Sequence, residues 1–315
     1  MRVLGIDTSC YTTSVALIDD GQIFQQRRLL SVQLGERGLR QSEALFQHIE
    51  RLPDLLGALF AYSPGVVDAV CVSTRPRNVE GSYMPVFLAG VCSARSIATA
   101  QGIRMIETSH QQGHIRAAMV ESGIGEEPFI AIHLSGGTTE AVLVEEGLKT
   151  TLLGATSDIH AGQLVDRAGV AMGLAFPAGP GMEELARKAK ASHVMPLSYR
   201  ENQISFSGAE AQAMRMIAAG EPCEQVAAEV YSYLSRAVTK LIEISVRQTG
   251  IKKVLLGGGV ASSALLREMV PQRMKKRGVC ADVHWGRREY SGDNAVGVAL
   301  IGWDTLVKEN NNDDN

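Results

Sequence analysis

The chain has 315 residues, 45% of them apolar and 21% charged, with a net charge of −3. That length favours two domains over one, and the charge balance excludes a general pull toward nucleic acid or anionic lipid, so an RNA contact would need a local basic patch. No run reaches the roughly 18 apolar residues of a membrane span, and Met1-Arg2-Val3 leads directly into a strand followed by Asp7, which predicts a cytoplasmic protein without a signal peptide.

Residues 2–6 read as an apolar strand, followed by Asp7-Thr8-Ser9-Cys10-Tyr11-Thr12-Thr13-Ser14, a second strand over 15–18, an Asp19-Asp20-Gly21 turn and a third strand over 22–30. A turn dense in small hydroxyl residues can offer N–H and O–H groups to a phosphate, or be an ordinary polar hairpin. Apolar residues recurring at three or four predict a helix over 41–60, kinked or divided at Pro53. A buried strand over 67–72, a polar loop over 73–82 and a small-residue helix over 83–100 follow.

After a strand over 103–106 comes His110-Gln111-Gln112-Gly113-His114 at the start of a helix that Thr108 or Ser109 can cap. His110 and His114 stand at i and i+4, so both imidazoles leave one helix face. That spacing suits two ligands of one zinc or iron ion, and it also occurs by chance on solvated helices.

The opening pattern recurs about 126 residues later. A strand over 129–134 leads to Ser135-Gly136-Gly137-Thr138-Thr139-Glu140, a strand over 141–144, an acidic-glycine turn and a strand over 148–153. Such a duplication predicts two similar lobes facing each other with a nucleotide phosphate between the two turns.

Further on, a helix is expected over 158–172, and Phe176-Pro177-Ala178-Gly179-Pro180-Gly181 is a rigid turn opening a helix over 182–190. Ser207 is a candidate N-cap, and 223–249 is a long amphipathic helix. A strand over 251–256 feeds Gly257-Gly258-Gly259-Val260-Ala261-Ser262-Ser263 and a helix from Ala264, a corner suited to an anion or nucleotide. Arg273, Lys275, Lys276 and Arg277 read as a solvated helix end. A last strand over 280–285 precedes Asp293, a helix cap or a ligand, then a helix over 295–307 and a disordered tail over 309–315. The five scattered cysteines, Cys10, Cys71, Cys92, Cys223 and Cys280, lack CxxC spacing and read as reduced thiols.

Leu4-Gly5-Ile6-Asp7-Thr8-Ser9-Cys10, His110-x-x-Gly113-His114, Ser135-Gly136-Gly137, Pro177-Ala178-Gly179-Pro180, Ser205-Phe206-Ser207-Gly208, Gly258-Gly259-Val260-Ala261 and Asp293-Asn294 follow the order and spacing of one family. Over roughly residues 2–300 the chain resembles the tRNA threonylcarbamoyladenosine transferases of the TsaD or Gcp type, formerly described as glycoproteases.

The resemblance implies an α/β, actin/Hsp70-like (ASKHA) fold of two ribonuclease-H-like lobes with a nucleotide cleft between them. The lobes are expected at 1–115, with the helix of about 295–308 packing back, and at 126–292. It implies one divalent metal, iron or zinc, on His110, His114 and Asp293, with magnesium accompanying the nucleotide. ATP, ADP or an acyl adenylate would lie against Ser135, Gly136, Gly137, Thr138, Asp166, Gly179, Glu183, Gly258, Gly259 and Ser263. Thr8, Ser9, Tyr11 and Thr12 would be the catalytic residues, near the transferred group or its acceptor. The implied partners are tRNA and a paralogous ASKHA-fold protein or a second copy of the chain. A peptidase is disfavoured, because the histidine pair lacks the glutamate base of HExxH.

The sequence departs from the family pattern at Tyr11-Thr12, where the family carries an acidic pair, at Gln112 in place of an acid, at Thr138 in place of histidine and at Ser263 in place of asparagine. The loop over 75–82 also lacks the family's Gly-Pro-Gly character. The chain therefore reads as a divergent paralogue: a threonylcarbamoyl or related carbamoyl transferase, a nucleotide-binding regulator or scaffold, or a carbamoylating enzyme with another acceptor.

Overall fold

The computed structural model describes residues 1–9, 11–32 and 39–313; Cys10 of the expected first turn and the last two residues of the expected tail lie outside them. In chain order the elements are β1 (Arg2–Asp7), β2 (Thr12–Asp19), β3 (Gln22–Leu29), α1 (Gln41–Tyr62), β4 (Ala69–Arg75), α2 (Phe87–Gln101), β5 (Arg104–Ser109) and α3 (His110–Met119). Then come β6 (Phe129–Leu134), β7 (Thr139–Glu145), β8 (Lys149–Thr156), α4 (Ala161–Ala171), α5 (Gly179–Ala186), β9 (Tyr199–Arg200) and β10 (Gln203–Ile204). The chain closes with α6 (Ser207–Ala218), α7 (Cys223–Thr249), β11 (Lys253–Gly257), α8 (Ala264–Arg277), β12 (Asp282–Trp285) and α9 (Val296–Asp313).

The chain divides into two compact units, Met1–Ala117 with Gly292–Asn315, and Ala118–Ser291. In the first the strand order is β3-β2-β1-β4-β5, with β1, β2 and β3 antiparallel in turn and β4 and β5 parallel to β1. In the second the order β8-β7-β6-β11-β12 repeats that pattern, antiparallel on one side of β6 and parallel on the other, and β10 and β9 extend its edge. Each unit thus has a ribonuclease-H-like sheet.

Strand alternation builds the first unit's core. Leu4, Ile6, Val70 and Val72 face one way, onto Leu52, Leu55 and Leu59 of α1 and Ala89 and Ala94 of α2. Val3, Ala69 and Cys71 face the other way, onto Val298 of α9. Glycines let α9 approach closely: a Cβ on Gly5 would lie 2.6 Å from the Ala299 nitrogen, and one on Gly297 would lie 1.8 Å from the Gly113 oxygen. In the second unit Leu234, Val238 and Leu241 of α7 share a buried cluster with Ile130, Ile132 and Leu134 of β6.

Several boundaries differ from the sequence expectation. Helix α1 runs unbroken through Pro53, which is exposed. Helices α2 and α4 start four and three residues later than expected, at Phe87 and Ala161. Ser207 does not cap α6: it is the helix's first residue, and its hydroxyl and amide donate to Asp158. The expected tail over 309–315 is instead helical as far as Asp313, with Glu309 paired to Arg104. Among the described residues, no helix is long and apolar enough to cross a membrane.

Candidate functional site

In the first unit, the ends of β1, β2 and β5 and the loop before α9 bring a compact polar group together. Asp7 closes β1, Thr12 opens β2, His110 follows β5 directly and Asp293 precedes α9. This is the carboxyl edge of the parallel strands, where open α/β sheets place their ligands.

His110 and His114 share one face of α3, and their Nε2 atoms are 2.9 Å apart. Asp293 Oδ1 lies 3.3 Å from His114 Nε2 and 3.9 Å from His110 Nε2. All three ligand atoms fall within 4.8 Å of one another. Two nitrogens sharing one ion at ~2.1 Å are themselves separated by about 3.0–3.4 Å, so the pair needs only a small adjustment to bind one. Two imidazoles and one carboxylate form a mixed donor set that zinc and ferrous iron accept, with positions left open for other ligands.

Asp7, 1% exposed, fixes the orientation of His110. Its Oδ2 is 2.7 Å from His110 Nδ1, while its Oδ1 accepts from the Ser9 amide at 2.9 Å. A carboxylate on Nδ1 turns the Nε2 lone pair outward, the arrangement metal-binding histidines use. The charges respond to this pairing. Burial alone would lower the His110 imidazole; the Asp7 carboxylate beside it, helped by Asp293, outweighs burial and raises it to about 9. Burial pushes the Asp7 carboxyl up, but the His110 imidazolium pulls harder and holds it below the ordinary carboxylate value.

The remaining expected residues of this unit are placed differently from one another. Thr8 is not brought to the histidines: its hydroxyl donates to the Val86 oxygen at 2.9 Å and accepts from the Gly90 amide at 3.1 Å, seating α2. Ser9 is buried beside Asp7, and its hydroxyl meets no hydrogen-bonding partner among the described residues. Tyr11 is 44% exposed, and Thr12, 4% exposed, reaches Asp293 Oδ2 at 3.4 Å.

Gln112 belongs to the helix start rather than to the ligand set. Its Oε1 accepts from the Ser109 amide at 3.2 Å, while Ser109 Oγ accepts from the Gln112 amide at 3.3 Å. The pair is a reciprocal capping box, for which glutamine and glutamate are equivalent. Sequence reasoning missed Asp7 as the partner of His110, although an acid at the end of a first buried strand was the available signal. It also missed Phe87, whose ring packs 6.3 Å from that of His110.

In the second unit the Ser135–Thr138 segment is a closed turn: the Ser135 amide donates to the Thr138 oxygen at 2.8 Å. Ser135 Oγ takes the Gly137 and Thr138 amides at 3.3 and 3.0 Å. Helix α4 abuts the turn, its Ala161 amide donating to Thr139 Oγ1 and its Gly162 amide to the Ser135 oxygen. The Ser135, Gly137 and Thr138 amides are therefore occupied within the turn in this arrangement.

Gly258, at φ +94, would set a Cβ 2.4 Å from the Leu134 oxygen, so only glycine lets the end of β11 approach the end of β6. Gly136, Gly137, Gly179 and Gly259 have open space where a side chain would lie. Asp166 accepts from the Ala178 amide at 2.8 Å, and burial raises its carboxyl. Glu183 accepts from the Leu265 amide at 2.9 Å; burial would raise it, but hydrogen bonds from Ser263 and Leu265 and the Arg187 guanidinium hold it low. Ser263 also caps α8, and Tyr231 donates to the Gly179 oxygen at 3.4 Å. Glu183, Ser263, Gly179 and Tyr231 thus form one connected polar patch.

The fold has solved counterparts. HypF of T. kodakarensis matches with a TM-score of 0.64 at 15% identity, over 98% of this chain and 48% of that one. A full-length HypF in the phosphate- and nucleotide-bound form matches at 0.62 and 14% identity, over 97% and 46%. The activator of 2-hydroxyisocaproyl-CoA dehydratase from Clostridium difficile, with bound ADPNP, matches at 0.58 and 13% identity, over 99% and 98%. The chain spans about half the length of the HypF proteins it matches. At such identities the likeness is one of fold, and the fold is actin/Hsp70-like. A model of the tRNA N6-adenosine threonylcarbamoyltransferase family, TsaD, matches residues 32–300, leaving the first turn outside the matched span. With most of its length covered by that model, the chain belongs to the TsaD family.

Proposed function

We propose that the chain is a metal-dependent transferase that moves a threonylcarbamoyl, or related carbamoyl, group from an acyl adenylate to N6 of an adenosine in tRNA. The observation that carries this reading is the convergence of His110, His114 and Asp293 in a chain matched to the TsaD family over residues 32–300. A zinc or iron ion bound there supplies Lewis-acid polarisation of phosphate or acyl oxygens.

The protein's own groups do the positioning. Asp7 holds the His110 ring so that Nε2 faces the ligand site. Phosphate oxygens replace the Ser135 hydroxyl as acceptors for the Gly137 and Thr138 amides. Asp166, Gly179, Glu183, Ser263 and the Gly258-Gly259 corner line the nucleoside. The bound nucleotides of the HypF and dehydratase-activator structures support a nucleotide in this fold.

The test is to incubate metal-loaded protein with acyl adenylate and tRNA and to analyse the digested nucleosides by mass spectrometry. Modified adenosine is expected, and His114→Ala should lower its rate by at least about 10²-fold. No product, under conditions where a standard family member gives one, overturns the reading. A second reading, nucleotide binding without transfer, is favoured by the uncharged Tyr11 and Thr12 at the first turn. It predicts binding without turnover, and no gain from Tyr11→Asp combined with Thr12→Glu.

A further inference from the structure

Thr12 stands where the resemblance expects a group near the transferred acyl moiety, yet its hydroxyl is directed to a candidate ligand. It reaches Asp293 Oδ2 at 3.4 Å, the oxygen opposite the one that faces the histidines. Oδ1, by contrast, lies 3.3 Å from His114 Nε2. The backbone beside Asp293 is held independently: Asn294 Nδ2 donates to the Gly292 oxygen at 2.7 Å, and Asn294 Oδ1 accepts from the Val296 amide at 3.0 Å. Rotation of the carboxylate, a torsion with broad preferences, answers to the side chains around it, and Thr12 is the one that meets Oδ2 from β2.

We propose that Thr12 is a positioning residue that fixes Asp293 as a ligand through one oxygen only. The inference rests on the metal reading of His110, His114 and Asp293. One short turn then serves both sides of the centre. Asp7 orients His110, the Ser9 amide holds Asp7, the Thr12 amide returns to the Ser9 oxygen at 3.2 Å, and the Thr12 hydroxyl orients Asp293.

A carboxylate bound through one oxygen leaves more of the coordination sphere to substrate oxygens.

Thr12→Val keeps the shape and removes the hydroxyl; Thr12→Ser keeps the hydroxyl. Cobalt(II) is titrated into the full-length metal-free protein and into both variants, reading affinity and visible absorption. Thr12→Val should bind about 10- to 100-fold more weakly with an altered spectrum, and Thr12→Ser should stay within about threefold of wild type. A Thr12→Val protein matching wild type in both readouts overturns the role of Thr12 while leaving the metal reading intact. Equal damage in Thr12→Ser assigns the effect to packing and overturns it as well. A wild-type protein that binds no cobalt overturns the metal reading, and the role of Thr12 with it.

Discussion

Asp7 and His110 are the pair on which the chemistry of the centre turns. Without a metal, His110 keeps its proton up to about 9 because Asp7 outweighs the effect of burial. A histidine raised above its unfolded value of 6.5 stabilises the fold fully below that value, and the contribution is lost as pH rises from 6.5 through about 9. Chelator-treated protein should therefore lose melting temperature across that window more steeply than His110→Asn. A metal competes for the same Nε2 position, so its affinity should rise with pH over the same range, with proton release on binding. The i,i+4 histidines were legible in the sequence because helical spacing alone puts them on one face. Asp7 was not, because it lies 103 positions from His110 and meets it only at the sheet edge where β1 and β5 end on either side of β4.

The elements show why some motif residues are required for architecture. Gly113 lies between the two histidines because α9, which follows Asp293, crosses there: a Cβ on Gly113 would meet Val298 Cγ2 at 2.9 Å. Gln112, where the resemblance leads one to expect an acid, closes the start of α3 with Ser109. Gln112→Ala should cost about 1 kcal/mol in denaturant unfolding, through loss of half the capping box. Gln112→Glu should leave both stability and metal affinity close to wild type. A large loss of metal affinity in Gln112→Glu would return this position to the chemistry. Helix starts were the least legible feature. The small-residue pattern that begins near 83 does not reveal that α2 waits until Phe87, where Val86 and Gly90 meet the Thr8 hydroxyl.

At the scale of the molecule, the duplication was legible as strand, small-residue turn and strand twice over, and both sheets carry the same order and sense of strands. The return of the C-terminal helix to the first unit had no signature in periodicity; it depends on Gly5 and Gly297 permitting backbone contact. The polar ending reads as a tail by composition, yet α9 continues through it to Asp313. The family match begins at residue 32, so the turn carrying Asp7 and Thr12 lies outside it.

Metal content is the most direct measurement. Full-length protein, stripped with chelator, reconstituted with zinc or ferrous iron and freed of excess ion, should retain one ion per chain. The combined His114→Ala and Asp293→Ala variant should retain none while remaining folded. An empty wild-type protein, or a double variant that binds as wild type does, would contradict a metal centre at His110, His114 and Asp293.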